Sequence, residues 1–231
     1  MKTHSTSALR IAAVAAAIAG LSYVLVGVLH PPNVSSSVIT TRWEVVHYLA
    51  CLMAVSGFAG ITGVYARQLS RGAGWLTGVG YALLSLWFAL ILGFSFVEAF
   101  VLPHVAGTSP GFVDGWMSMF DGTHSNTDLG ALPLLWTITA PMYMLGGLIF
   151  GVAVFRSGVP SRGAGLLLGF GTLAAPLASV LPAAAQPKIA IPVGLALMWL
   201  GWGLLADVTT AAREIDAHPG LPSTRASAPA H

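Results

Sequence analysis

Six stretches of this chain come close to the ~20 apolar residues that a helix needs to cross a bilayer. They run from about Ile11 to Leu29, Trp43 to Tyr65, Trp75 to Leu102, Leu132 to Phe155, Gly165 to Leu181 and Ile189 to Val208. Nothing in the sequence could cover that much apolar surface in water: charged residues make up 8% of the chain, against roughly 25% in ordinary soluble domains. The expected fold is therefore all-α, a polytopic membrane helical bundle with lipid as its solvent. Many of the 27 glycines fall inside these stretches, as expected where helices approach closely with no hydrophobic force between them. The first stretch outruns the ~7–15 apolar residues of a signal-peptide core and reads as a retained helix. Residues 209–231, polar and with Pro219, Pro222 and Pro229, read as a disordered cytoplasmic tail.

Orientation follows from the basic residues, which concentrate in cytoplasmic loops. With both termini inside, Lys2, Arg10, Arg67, Arg71, Arg156, Arg162, Arg213 and Arg225 are cytoplasmic and only Arg42 and Lys188 lie outside. The turn Ser70-Arg71-Gly72-Ala73-Gly74 recurs as Ser161-Arg162-Gly163-Ala164-Gly165, and Leu76, Gly78 and Gly80 then match Leu167, Gly169 and Gly171. This spacing suggests that the second and third spans repeat as the fourth and fifth in the same orientation, a parallel repeat of a helical hairpin. Convergence on a small-residue turn after a basic anchor would give the same match. A net charge of +2 offers no basis for a nucleic-acid partner.

The polar chemistry falls on the opposite side. His30, His47, His104 and His124 are extracytoplasmic, as are Glu44, Glu98, Asp114, Asp121 and Asp128, while His4, His218 and His231 sit in the tails. Glu98 is the one acid embedded in an apolar run, Phe94-Ser95-Phe96-Val97-Glu98-Ala99-Phe100, where an ionisable group is costly and faces protein or a water-filled cavity. Its candidate partners are His30, His47 and His104. His47 has the small helical neighbours Ala50, Cys51 and Ala54, and His30 follows a face of Gly20, Tyr23 and Gly27. Each histidine alone is better read as a satisfied interfacial residue; only convergence with Glu98 would make a site. Cys51, the single cysteine, excludes an internal disulfide or a cysteine-based zinc site and reads as a small buried hydrophobe.

Other polar residues have structural explanations. Thr41-Arg42-Trp43-Glu44 matches a capping box with Thr41 as N-cap, and Trp43 suits an interfacial anchor. Ser109-Pro110 opens a short amphipathic helix with Phe112, Val113, Trp116, Met117 and Phe120 on one face, read as an anchor in the membrane interface rather than a lid. Residues 121–128 are rich in oxygen ligands but match no calcium-loop spacing. Pro141 and Pro176 would kink the helices around them, freeing carbonyls near Thr137 and Thr172.

The stretches Leu29-His30-Pro31-Pro32, Thr41-Arg42-Trp43-Glu44-Val45-Val46-His47 and Gly60-Ile61-Thr62-Gly63-Val64-Tyr65-Ala66-Arg67 resemble small six-helix integral membrane proteins of bacteria. The resemblance implies a topology and a multi-pass place in the bacterial cytoplasmic membrane, and no chemistry. Three functional classes stay open. The leading one is an accessory or structural membrane factor with a His/Glu cluster at its extracytoplasmic face. The second is a membrane-embedded enzyme or redox protein: Glu98 and His47 would be the catalytic acid–base pair acting on a lipid-phase substrate, or His30, His47 and His104 would hold haem or a transition metal. The third is a small proton-coupled transporter with Glu98 as its cation site. The bilayer is the expected partner; a second copy, a membrane-protein partner or a small lipophilic ligand stay open.

Overall fold

The computed structural model describes residues 2–121, 123, 125–182 and 185–217, and every regular element among them is helical. Besides three short 3-10 turns these are, in chain order, α1 (Lys2–Leu29), α2 (Thr41–Leu69), α3 (Trp75–Phe96), a π-helical turn (Val97–Val101), α4 (Leu102–Val105), α5 (Pro110–Asp121), α6 (Leu132–Ser157), α7 (Arg162–Leu173) and α8 (Ile191–Ala217). Five segments are long and apolar enough to cross a membrane: Thr6–Leu29, Thr41–Leu69, Trp75–Val105, Leu132–Ser157 and Gln186–Ala211. The chain is thus a helical, multi-pass membrane protein by length and composition. His124, His218, His231 and the tail beyond Ala217 lie outside the described residues, as do the side chains of His4 and Asp121.

The expected span from Gly165 to Leu181 does not form as one helix. It divides into α7, which stops at Leu173, and a 3-10 turn over Ala175–Val180. Pro176 supplies the reason, because it has no N–H to offer the Thr172 carbonyl and its ring would collide with it. Thr172 turns its own hydroxyl inward, donating to the Leu168 and Gly169 carbonyls at 3.0 and 3.1 Å. At the chain's other end, α8 continues to Ala217, so its last turns occupy part of the segment that reads as tail.

The long helices close into a ring: α1 packs on α2, α2 on α3, α3 on α6, α6 on α7, α7 on α8 and α8 back on α1. Small residues make the close approaches. Gly60 and Gly63 of α2 meet Ala16 and Ala12 of α1, Gly20 of α1 meets Gly194 of α8, and Gly151 of α6 meets Gly165 of α7. A Cβ at Gly20 or Gly151 would collide with opposing backbone, so these glycines set the interhelical distance. Inside the ring Trp87 lies between Tyr23 and Tyr143, at ring separations of 6.2 and 4.7 Å.

A second core caps one end, where α1 finishes and α2 begins. It joins Val38, Trp43, Phe94 and Leu102 to Val113, Trp116 and Met117 of α5. The apolar face of α5, expected to anchor in the membrane interface, is instead turned onto the protein's own core. The α2 cap is also shifted by one residue: Thr40, not Thr41, accepts from the Trp43 amide at 3.3 Å.

Candidate functional site

A proline builds the site. In an α-helix the Pro103 ring would press on the Ala99 carbonyl, four residues back. The chain widens there into the π-helical turn Val97–Val101, in which the Leu102 N–H reaches the Val97 carbonyl. The next carbonyl in that register is that of Glu98, and its donor would be the N–H that Pro103 lacks. Trp43 supplies a replacement: its indole Nε1 donates to the Glu98 carbonyl at 2.8 Å, with the whole side chain buried. The first turn of α2 is thereby fixed against the π turn.

That contact brings His47, one turn further along α2, to the Glu98 carboxyl. His47 Nε2 lies 3.3 Å from Glu98 Oε2, and the two residues are 2% and 8% exposed, so water does little to screen them. His47 Nδ1 lies 2.7 Å from the Trp43 carbonyl and must be the protonated nitrogen that donates to it. Trp116 of α5 donates from Nε1 to the other carboxyl oxygen at 3.4 Å. With Nδ1 committed, the geometry across Nε2 and Oε2 requires one proton between them. A neutral carboxyl can donate to the imidazole, or an imidazolium can donate to the carboxylate; with no proton two lone pairs face each other, and with two protons two hydrogens do.

His30 completes the arrangement from the end of α1. Its ring meets His47 edge-on at 5.3 Å and Trp43 at 6.0 Å, and its Nδ1 donates to the Pro31 carbonyl at 2.7 Å. Burial holds its imidazole below the ordinary histidine range; the bond to Pro31 opposes this and the nearby Arg42 guanidinium reinforces it. Arg42 itself donates to the Leu29 carbonyl at 2.7 Å, tying the end of α1 to the start of α2. Two contacts hold α5 in place from outside: Ser35 Oγ donates to Asp114 Oδ1 at 2.5 Å, and Thr127 Oγ1 to the Gly111 carbonyl at 2.8 Å.

Of the residues singled out from sequence, the structure brings together Glu98, His47 and His30. It leaves His104 exposed on α4. Cys51 follows His47 by one turn and is half-buried. Trp43 and Trp116, read from sequence as an interfacial anchor and a face residue, are the two indole donors to Glu98. Pro103, five residues after Glu98, was the available signal for the first of them.

The arrangement can hold and exchange a proton. It suits axial ligation of haem poorly: both ring nitrogens of His47 have partners, and its ring lies too close to that of His30 for a macrocycle to pass between them. Among the described residues no three His, Cys, Asp or Glu side chains come together as a metal site. No protein-family model, curated protein or solved structure matches the chain.

Proposed function

We propose that this chain is an accessory factor of the bacterial cytoplasmic membrane whose extracytoplasmic end carries a proton-sharing latch, His47–Glu98, closed by α5. One observation carries the reading: a buried imidazole and carboxyl lie at 3.3 Å with the other imidazole nitrogen committed to a carbonyl. The pair joins α2 to the π turn, and Trp116 joins α5 to the pair. A proton gained or lost there acts on all three elements. The working partners would be the bilayer and a neighbouring membrane protein, not nucleic acid.

We infer, besides, a topology of six crossings with both termini inside. The fifth crossing would be α7 together with its 3-10 turn, whose 12 and 6 residues extend about 18 and about 12 Å, close to the ~30 Å hydrocarbon core. Two contacts favour it: Gly163 lies against Trp199 and Gly171 against Val193, so α7 runs antiparallel to α8. The parallel repeat also draws support from packing. Gly80 of α3 lies on Phe150 of α6, and its counterpart Gly171 of α7 lies on Val193 of α8, in each case the next helix of the ring.

Infrared difference spectra across a pH titration test the latch. Beside the bands of the other acids, one pH-dependent carboxyl band of the wild-type protein should be missing in Glu98→Gln. A pH-dependent spectrum unchanged by that substitution would leave Glu98 a fixed packing residue and end the proposal. A second reading, acid–base catalysis on a lipid-phase substrate, has its own observation in half-buried Cys51, one turn after His47, and would need an approach to the pair along that side of α2. If that approach is used, alkylation of Cys51 by a membrane-permeant maleimide should abolish turnover of any substrate found.

A further inference from the structure

The outer face between α1 and α2, away from the latch, carries an apolar groove of about 390 Å³, within the ~300–1,000 Å³ typical of small-molecule sites. Ile11, Val14, Ala15 and Ile18 line it from α1 and Leu52 from α2, and the guanidinium-bearing Arg10 stands at its end. Ala15 makes the depression because its neighbours are bulky. Ile11, Val14 and Leu52 are 70%, 52% and 47% exposed, so nothing among the described residues covers this face. Ser56 is the other polar side chain on the lining, and its hydroxyl already donates to the Leu52 carbonyl. The body of the groove therefore offers hydrogen-bond partners to nothing and van der Waals surface to an alkyl chain.

Arg10 sets the identity of the occupant. It lies about one turn inside the apolar span Thr6–Leu29, where an arginine must direct its head toward the interface. Among the described residues the ion pairs are His47–Glu98, Arg67–Asp207 and Arg71–Asp207. Arg67 and Arg71 are thus neutralised by a carboxylate of α8, whereas Arg10 has no carboxylate partner. An unpaired guanidinium at the interfacial end of an alkyl-lined groove matches an amphiphile with its negative charge at the membrane surface. The planar fork of arginine also suits phosphate oxygens.

We propose that the α1–α2 face is a binding site for an anionic phospholipid from the leaflet at the α1 N-terminus, its phosphate on Arg10 and an acyl chain along Ala15 toward Leu52. Basic pockets at the membrane surface select anionic lipids in this way, and one arginine accounts for about a fivefold preference.

Native mass spectrometry of the full chain in mild detergent tests the site, with phosphatidylglycerol and phosphatidylcholine of identical acyl chains as probes and inorganic phosphate as a third. The wild-type protein should retain phosphatidylglycerol in preference and show no adduct with phosphate alone. Arg10→Gln should lower retention of phosphatidylglycerol about fivefold, to the level of phosphatidylcholine, and Arg10→Lys should recover most of the preference. Ala15→Phe fills the groove without touching the charge and should weaken both lipids alike. The proposal fails if Arg10→Gln keeps the wild-type preference while melting at the wild-type temperature, or if phosphate alone binds as well as the lipid. It also fails if Ala15→Phe abolishes a dimer rather than lipid adducts, which would give the groove to a second copy of the chain.

Discussion

Each end of the bundle places a carboxylic acid between helices, and the two acids have been given opposite surroundings. At one end Asp207 of α8 faces two guanidiniums, Arg67 and Arg71 of α2, with a side chain about one-quarter exposed. At the other, Glu98 faces a single imidazole and two indole N–H donors and is almost wholly enclosed. Two guanidiniums in partial contact with water give each carboxylate oxygen of Asp207 its own charged donor. One imidazole, itself held by a carbonyl, leaves the placement of a proton undecided between two atoms. The same residue class thus makes a clasp to two cations at one end and a proton-sharing contact at the other. Burial and partner chemistry make the difference.

The Glu98 end should be the more fragile, and Trp43 is where it breaks most completely. Trp43→Ala removes a fully buried ring and the donor to the Glu98 carbonyl, at a cost of about 3–5 kcal/mol. Thermal unfolding in detergent should show a drop on the order of 10 °C. Trp43→Phe keeps most of the packing and loses the N–H, so a loss of about 1–3 kcal/mol is expected. Equal behaviour of the two variants would mean that the indole hydrogen bond adds nothing beyond ring volume.

Glu98 itself comes next. Glu98→Ala leaves His47 Nε2 and the Trp116 indole without partners, for a loss of about 1–3 kcal/mol. Glu98→Gln keeps an acceptor for Trp116 and offers an N–H to Nε2, so its melting temperature should stay close to that of the wild type. Its titration behaviour should not. A glutamine variant as unstable as the alanine variant would show that charge, not hydrogen-bond geometry, holds this end.

How far the sequence foretold these two ends depends on the range of the interactions. The five long apolar segments could be read directly, because hydropathy over a window of ~20 residues is a local property. The break at Pro176 was visible as a kink and not as an end to the helix, since whether a proline is absorbed depends on neighbouring helices that the sequence does not place. The α2 cap fell one residue early because Thr40 and Thr41 are equally suited to it, and only backbone geometry separates them. Glu98 stood out by its depth alone. Its union with His47 and His30, and the exclusion of His104, required knowing that α2 lies against the π turn. The indole donors were the hardest to foresee: a tryptophan near a membrane surface has an ordinary explanation, and the hydrogen bond that overrides it spans residues 43 to 98.

A smaller effect at the same end should appear with acid. The His30 imidazole titrates below its ordinary value in the folded protein, so between that lowered value and about 6.5 the unfolded chain binds a proton that the folded one refuses. Stability from this group is full above about pH 6.5 and declines as the pH falls, with a slope of at most about 1.4 kcal/mol per pH unit. Arg42 and His47 face it, and protonation of His47 would steepen the decline. His30→Gln should flatten the acid limb of the melting curve, measured between neutral and mildly acid pH. An unchanged acid limb would move the origin of the effect to other groups.

The Asp207 end should respond least, and to a different variable. Asp207→Asn leaves Arg67 and Arg71 partly in water, so the loss should be about 1 kcal/mol or less. Because those charges are in partial contact with water, salt screens them: at about 1 M the Debye length shrinks to roughly 3 Å, and the gap between the variant and the wild type should then shrink. The buried pair at the Glu98 end has no such shielding, so the gap between Glu98→Ala and the wild type should survive the same salt. If salt closes both gaps, the Glu98 end is open to solvent and behaves as a second surface clasp. If it closes only the Asp207 gap, the two ends are held by different physics, as their surroundings require.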